Sequence, residues 1–202
     1  MPAYPVQLDV SSPPIFDRMQ LLVRLAIGVA LGWLGVTLGW LWCLLFFALP
    51  VVAASVVSAR GADYYEQNTA PRLWSALTWL LAFSAYMLFV IDRVPIDDHR
   101  VHTELRMTGR PSVGTSLARL VMSIPSAVAL CFIGLVSCVL WVIALFSILL
   151  FRTVPASILD FQKGYLRWQA RLAAFHASFI EEYPPFSFAA RTPNFPTAMV
   201  NQ

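Results

Sequence analysis

The sequence predicts an all-α integral membrane protein. About four transmembrane or amphipathic helices are expected, from two parallel tandem repeats with a short strand-like segment before each. Three observations carry that expectation. Two long runs, Leu25 to Ala59 and Leu120 to Phe151, hold no charged residue, and each exceeds the roughly 20 residues a helix needs to cross a bilayer. A third uncharged run, Leu73 to Ile91, is also of spanning length. The 202-residue chain is 58% hydrophobic and only 12% charged, about half the charged share of a soluble domain. A soluble fold would need a larger core than about 200 residues can enclose.

The elements follow in order. The opening "MPAYPVQLDV" has no basic n-region, and the apolar run after it starts late and is too long for a cleavable signal peptide. "YPVQLDV" at 4–10 alternates as a strand does, and "VHTELRM" at 101–107 resembles it. The first long helix is expected over Leu21–Val57. Gly28, Gly32, Gly35 and Gly39 recur there at spacings of four, three and four, which makes a helix-packing stripe. A turn near Gly35 would break the stripe, so one long tilted helix kinked at Pro50 is expected, with a wedge-like hairpin as the alternative. Leu73–Ile91 is the second span. The second repeat supplies Ser116–Phe151, with a weaker small-residue stripe (Ser123, Ala127, Gly134) and a kink at Pro125, then Ala156–Ile180.

The two halves line up collinearly. Arg24 and Arg119 each sit at an apolar border. Leu77 matches Leu166, Trp79 matches Trp168, and Pro95 matches Pro184. The expected units are residues 1–98, residues 99–190 and a tail, 191–202. "YPVQLDV", "FSILLFRTVPASILDFQKGYLRWQARLAAF" at 146–175 and "EEYPPFSF" at 181–188 together resemble the bacterial membrane family DUF4389. The second half carries most of the resemblance. The first keeps the opening strand and "DRVP" but has "SARGADYYEQNTAPRLW" in place of the family's "RYPRGLFDF". The resemblance implies a bacterial integral membrane protein and no particular reaction.

The last helix is unusual. Phe161, Tyr165, Trp168, Leu172, Phe175 and Phe179 form one apolar stripe, with Trp79 as a further packing or interface aromatic in the first half. Asp160, Lys163, Arg167 and Arg171 form a second stripe about 115° away at ~100° per residue. In the first half, Lys163, Arg167 and Arg171 correspond to Trp74, Thr78 and Ala82. Arginines at mid-membrane are costly unless paired or wet. The helix therefore either lies in the interface with its basic stripe at lipid phosphates, or spans with its arginines facing a cavity or an acidic partner. Lys163, Arg167, Arg171, Arg24 and Arg119 are the candidate lipid- or partner-binding residues. The arginine-rich central loop (Arg93, Arg100, Arg106, Arg110) is expected in the cytoplasm of a multi-pass inner-membrane protein.

Little points to catalysis. Cys43, Cys131 and Cys138 sit in apolar runs with no CxxC spacing. "DDHRVH" at 97–102 offers Asp97, Asp98, His99 and His102, but no second ligand cluster completes a metal set. "GRPSVGTS" at 109–116 lacks the phosphate-loop lysine, and neither GxSxG nor HExxH is present. His176 is read as packed or interfacial rather than a proton relay, Glu181 and Glu182 as solvated, and "YPPF" as a helix stop with Tyr183 and Phe186 at an aromatic belt. The net charge of +3 calls for no nucleic acid. The expectation is a non-enzymatic accessory or scaffolding subunit without a cofactor, whose partners are membrane lipids and other membrane subunits. A small transporter or channel component with Arg167 and Arg171 lining a pathway, or a membrane-shaping hairpin, are the alternatives.

Overall fold

The computed structural model describes residues 4–95 and 101–189. Strand β1 (Val6–Val10) pairs antiparallel with β2 (Val101–Leu105), with Leu8 opposite Thr103 at the centre. The alternation of β1 settles its faces. Val6, Leu8 and Val10 are buried, while Asp9 points outward.

Helix α1 (Arg18–Trp33) starts on the Asp17 side chain, which accepts the Met19 amide at 3.0 Å. Helix α2 spans Leu38–Arg60 and runs on through Pro50. A short helix α3 (Ala62–Tyr64) and a π-helical turn (Tyr65–Thr69) reverse the chain into α4 (Ala70–Met87). After β2, helix α5 (Val113–Met122) opens with a reciprocal Ser112–Thr115 capping box. Helix α6 (Ile124–Phe151) restarts at once, with Pro125 in its first turn, where its missing N–H costs nothing. Arg152 in the left-handed region ends α6, and α7 (Ala156–His176) follows Pro155.

Two expectations change here. The helix over Leu21–Val57 is not unbroken. Gly35 takes φ +69°, which a residue without a Cβ adopts cheaply, and the Thr37 hydroxyl caps a new helix by accepting the Trp40 amide at 3.2 Å. Nor is the break a tight hairpin, because α1 and α2 do not pack along each other. The second run is likewise divided, at Ser123, into α5 and α6.

Helices α4 and α7 form the centre and run antiparallel. The Tyr65 hydroxyl, just before α4, donates to the Ala177 carbonyl just past α7, and Trp74 meets Phe179 edge-on. At the other end Phe89 and Ile158 share one apolar cluster with Phe16, Ala144 and Ile148. The larger core joins Leu77, Leu81 and Ala85 of α4 to Leu166, Ala170 and Ala174 of α7, with the β-ribbon above and Leu49 and Ala53 of α2 at the side. α6 lies beside α7, and α5 beside α2. α2 and α6 are long and apolar enough to cross a membrane, and most of their residues face outward.

Candidate functional site

Two buried arginines organise the ends of the central helices in the same way. Arg24 donates through Nη2 to the carbonyls of Ile91 (2.6 Å) and Asp92 (3.0 Å). Its guanidinium lies 4.3 Å from the Tyr86 ring centre and 4.9 Å from that of Phe89. Its Nε and Nη1 have no hydrogen-bond partner among the described residues, so these rings and the Asp92 carboxylate at 3.8 Å are what face the charge. Arg119 donates through Nη1 to the carbonyls of Phe175 and Ile180, each at 2.6 Å, and sits 4.7 Å from the Phe175 ring. Both arginines thus bind carbonyls at or just past the end of a helix. Each of those ends has one residue in the left-handed region, Phe89 after α4 and Ser178 after α7.

The basic stripe of α7 is occupied within the chain. Arg167 donates to the Leu8 carbonyl at 3.1 Å and the Phe188 carbonyl at 3.3 Å, and lies 3.7 Å from the Asp9 carboxylate. Arg171 donates to the Ser187 carbonyl at 2.8 Å and the Ala189 carbonyl at 2.7 Å. Three successive carbonyls of the segment 184–189 are therefore held by two arginines. Phe186 and Phe188 lie against Trp168, with ring centres 5.2 and 6.1 Å away, and Phe161 meets Phe188 at 5.5 Å. Gly164 makes room for this strap. A Cβ there would fall 2.6 Å from Cβ and Cγ of Phe188. Tyr4 closes the edge, its ring 5.7 Å from the Arg171 guanidinium and its hydroxyl donating to the Glu182 carbonyl. Burial raises the Tyr4 phenol above its ordinary pKa.

The remaining candidates are dispersed. Lys163 is half-buried. Tyr165 packs over Gly134 of α6, and Phe175 faces Tyr183 at 5.6 Å. Trp79 and Trp168 hold matching sequence positions but opposite environments, at 54% and 4% exposure. Trp79 stacks on Phe83 instead. The glycines do not bring two helices of this chain together. A Cβ on Gly32 or Gly35 meets nothing within 4 Å, one on Gly28 reaches only Met87, and one on Gly39 only Thr37. His102 lies on β2 opposite Asp9, while Asp97, Asp98 and His99 lie outside the described residues. The three cysteines are exposed and free.

Sequence reasoning missed the acid for Arg167, which comes from β1, far along the chain. It also missed the polar ladder between α6 and α7. There Ser137 donates to Gln162 Oε1 at 2.6 Å, Gln162 donates back to the Ser137 carbonyl at 3.2 Å, and Ser123 meets His176. The available signal was the set Ser123, Ser126 and Ser137, three hydroxyls on one side of an otherwise apolar run.

Residues 114–187 match the model of a family described as a domain of unknown function, DUF4389, a stretch that takes in nearly all of α5, all of α6 and α7, and the strap to Ser187. No curated protein and no solved structure matches the chain.

Proposed function

We propose that this is a non-enzymatic integral membrane protein of the bacterial inner membrane, an accessory or scaffolding subunit built from two copies of one unit. The carrying observation is the outer surface of α2 and α6. Trp40, Phe47, Phe132, Phe146 and Phe151 are all more than half exposed there, on two helices without a charge before Arg60 and Arg152. Water would leave such a surface sticky, whereas hydrocarbon suits it. The polar side chains that reach inward spend themselves on caps, on helix ends and on the strap. The duplication is supported by the matching roles of Asp17 and Ser112 as caps, of Arg24 and Arg119 at helix ends, and by strands that pair about the Leu8–Thr103 position. The open glycine face around Gly32 is the proposed contact for a partner subunit, and the loop between the units is proposed to face the cytoplasm.

The test is fractionation followed by purification in mild detergent. Retention in membranes after alkaline carbonate, and a reproducible stoichiometric partner lost in Gly32→Leu, are expected. Recovery in the soluble fraction would sink the membrane assignment. A clean monomer with unchanged behaviour in Gly32→Leu would sink the subunit assignment.

A further inference from the structure

We infer that α6, despite having the length and hydropathy of a membrane span, lies along the membrane plane, with α7 above it at the water–lipid boundary and the β-ribbon in water. The inference rests on the membrane reading above and adds the orientation that reading leaves open.

Three geometric facts lead to it. First, α6 accompanies α7 along its whole length and antiparallel to it. Ser123 meets His176, a Cβ on Gly134 would meet the Tyr165 hydroxyl at 3.2 Å, Ser137 bonds Gln162, and Ile148 clusters with Ile158. The two helices therefore share one inclination to the membrane. If one crosses, both cross.

Second, the β-ribbon sits on the middle of the central pair. Leu8, at the centre of β1, accepts from Arg167, midway along α7. Its partner Thr103 bonds Thr78, midway along α4, at 3.1 Å. Were α7 to cross the bilayer, this ribbon would stand at the midplane. Asp9, His102 and Glu104 are exposed on it, and its two outer edges belong to an open two-stranded sheet. Hydrocarbon tolerates neither open strand edges nor an exposed carboxylate such as Glu104.

Third, the ribbon and α6 occupy opposite sides of α7. Ile158, Gln162, Tyr165 and His176 face α6, whereas Gly164, Arg167 and Arg171 face the ribbon and strap. At about 100° per residue these two sets are on opposed faces. The order is thus charged ribbon and strap, then α7, then α6. The outermost layer of α6 is a continuous apolar face including Phe132 (67% exposed), Val139 and Phe146 (55%). A single leaflet of lipid is the environment that matches such a one-sided helix pair. The arginines of α7 lie above the hydrocarbon, on the side covered by the ribbon and strap, which removes the cost that a spanning α7 would carry.

The test uses the full chain with Cys43, Cys131 and Cys138 replaced by serine and single cysteines placed at Met107, before α5, and Thr153, after α6. Both positions are exposed. An impermeant maleimide applied to intact cells and to permeabilised cells reports their sides. The expected result is the same side for both. Opposite sides would overturn the in-plane arrangement. A depth measurement gives a second arm: a fluorophore at Phe132 and one at Phe146, quenched by lipids labelled at known depths. Equal depths are expected, whereas a crossing α6 would separate the two by about 21 Å at ~1.5 Å per residue. Release of the protein by alkaline carbonate would instead sink the membrane reading and this proposal together, so the two failures are distinguishable.

Discussion

Substituting Gly164→Ala tests whether the strap is held by fit. The added Cβ would lie 2.6 Å from both Cβ and Cγ of Phe188 and 3.1 Å from its Cδ1. Those first atoms are near the strap backbone, so rotating the ring does not relieve the clash, and the strap must move. Alanine is better than glycine in a helix interior by about 1 kcal/mol, but α7 is helical whether the strap is docked or open, so that gain does not oppose opening. At stake in the docked state are two aromatic contacts of Phe188, at about 0.5–1.5 kcal/mol each. The bond from charged Arg167 to the Phe188 carbonyl adds about 1.5–3 kcal/mol. The contacts at stake come to about 2.5–6 kcal/mol, and losing even the charged bond at its lower bound of about 1.5 kcal/mol is at least about a tenfold rise in the open population. Hydrogen exchange in detergent or nanodiscs reads this directly. Peptides covering 184–189 should exchange at least about tenfold faster, while α7 keeps its protection. Gly134→Ala is the matched control, since its added Cβ meets only the hydroxyl end of Tyr165, at 3.2 Å, and that side chain can swing. Unchanged strap exchange in Gly164→Ala, or an equal effect from Gly134→Ala, would refute the reasoning.

Arg119→Met should lower stability by about 1–3 kcal/mol, because the Ile180 carbonyl loses its donor while the Phe175 carbonyl keeps the Ser178 amide, and thermal unfolding in detergent should show it. Trp168→Ala should cost about 3–5 kcal/mol, whereas Trp79→Ala should cost under about 1 kcal/mol, since one ring is covered by the strap and the other is exposed. Equal melting shifts for the two would show that the strap does not bury Trp168. The double substitution Arg167→Gln and Arg171→Gln should free residues 187–189 to cleavage by chymotrypsin after Phe188 while α7 persists; a strap as resistant as in the unaltered chain would mean the carbonyl bonds contribute nothing.

Much of this architecture was legible locally. Uncharged runs became helices, the alternation of "YPVQLDV" became a strand, and the correspondence of Arg24 with Arg119 became two arginines in the same role. Gly35 was misread for a physical reason. A glycine every third or fourth residue is equally compatible with a packing stripe and with a break, and the Thr37 cap that distinguishes them looks like any threonine in an apolar run. The charged stripe of α7 was found, but not its partners. Asp9 and the strap carbonyls reach Arg167 and Arg171 only after β1 and the segment past Pro184 have closed over the helix, and no local pattern encodes that closure.

The contrast between the halves then carries its own argument. Trp168, Gly164, Arg167 and Arg171 act together on the strap, and in the first half their counterparts are Trp79, Ser75, Thr78 and Ala82. Serine supplies the Cβ that Gly164 cannot carry, and threonine and alanine supply no carbonyl clamp. The clamp and the space occur together on α7, and neither occurs at the aligned positions of α4, as expected if they serve one contact. Arg24 and Arg119, like Asp17 and Ser112, hold similar roles because every helix end has orphan backbone groups to satisfy. What the two halves share is therefore what folding demands of each, and what only the second half has is the grip of α7 on the strap. That grip, rather than the shared helix ends, is where the specific work of this chain should be sought.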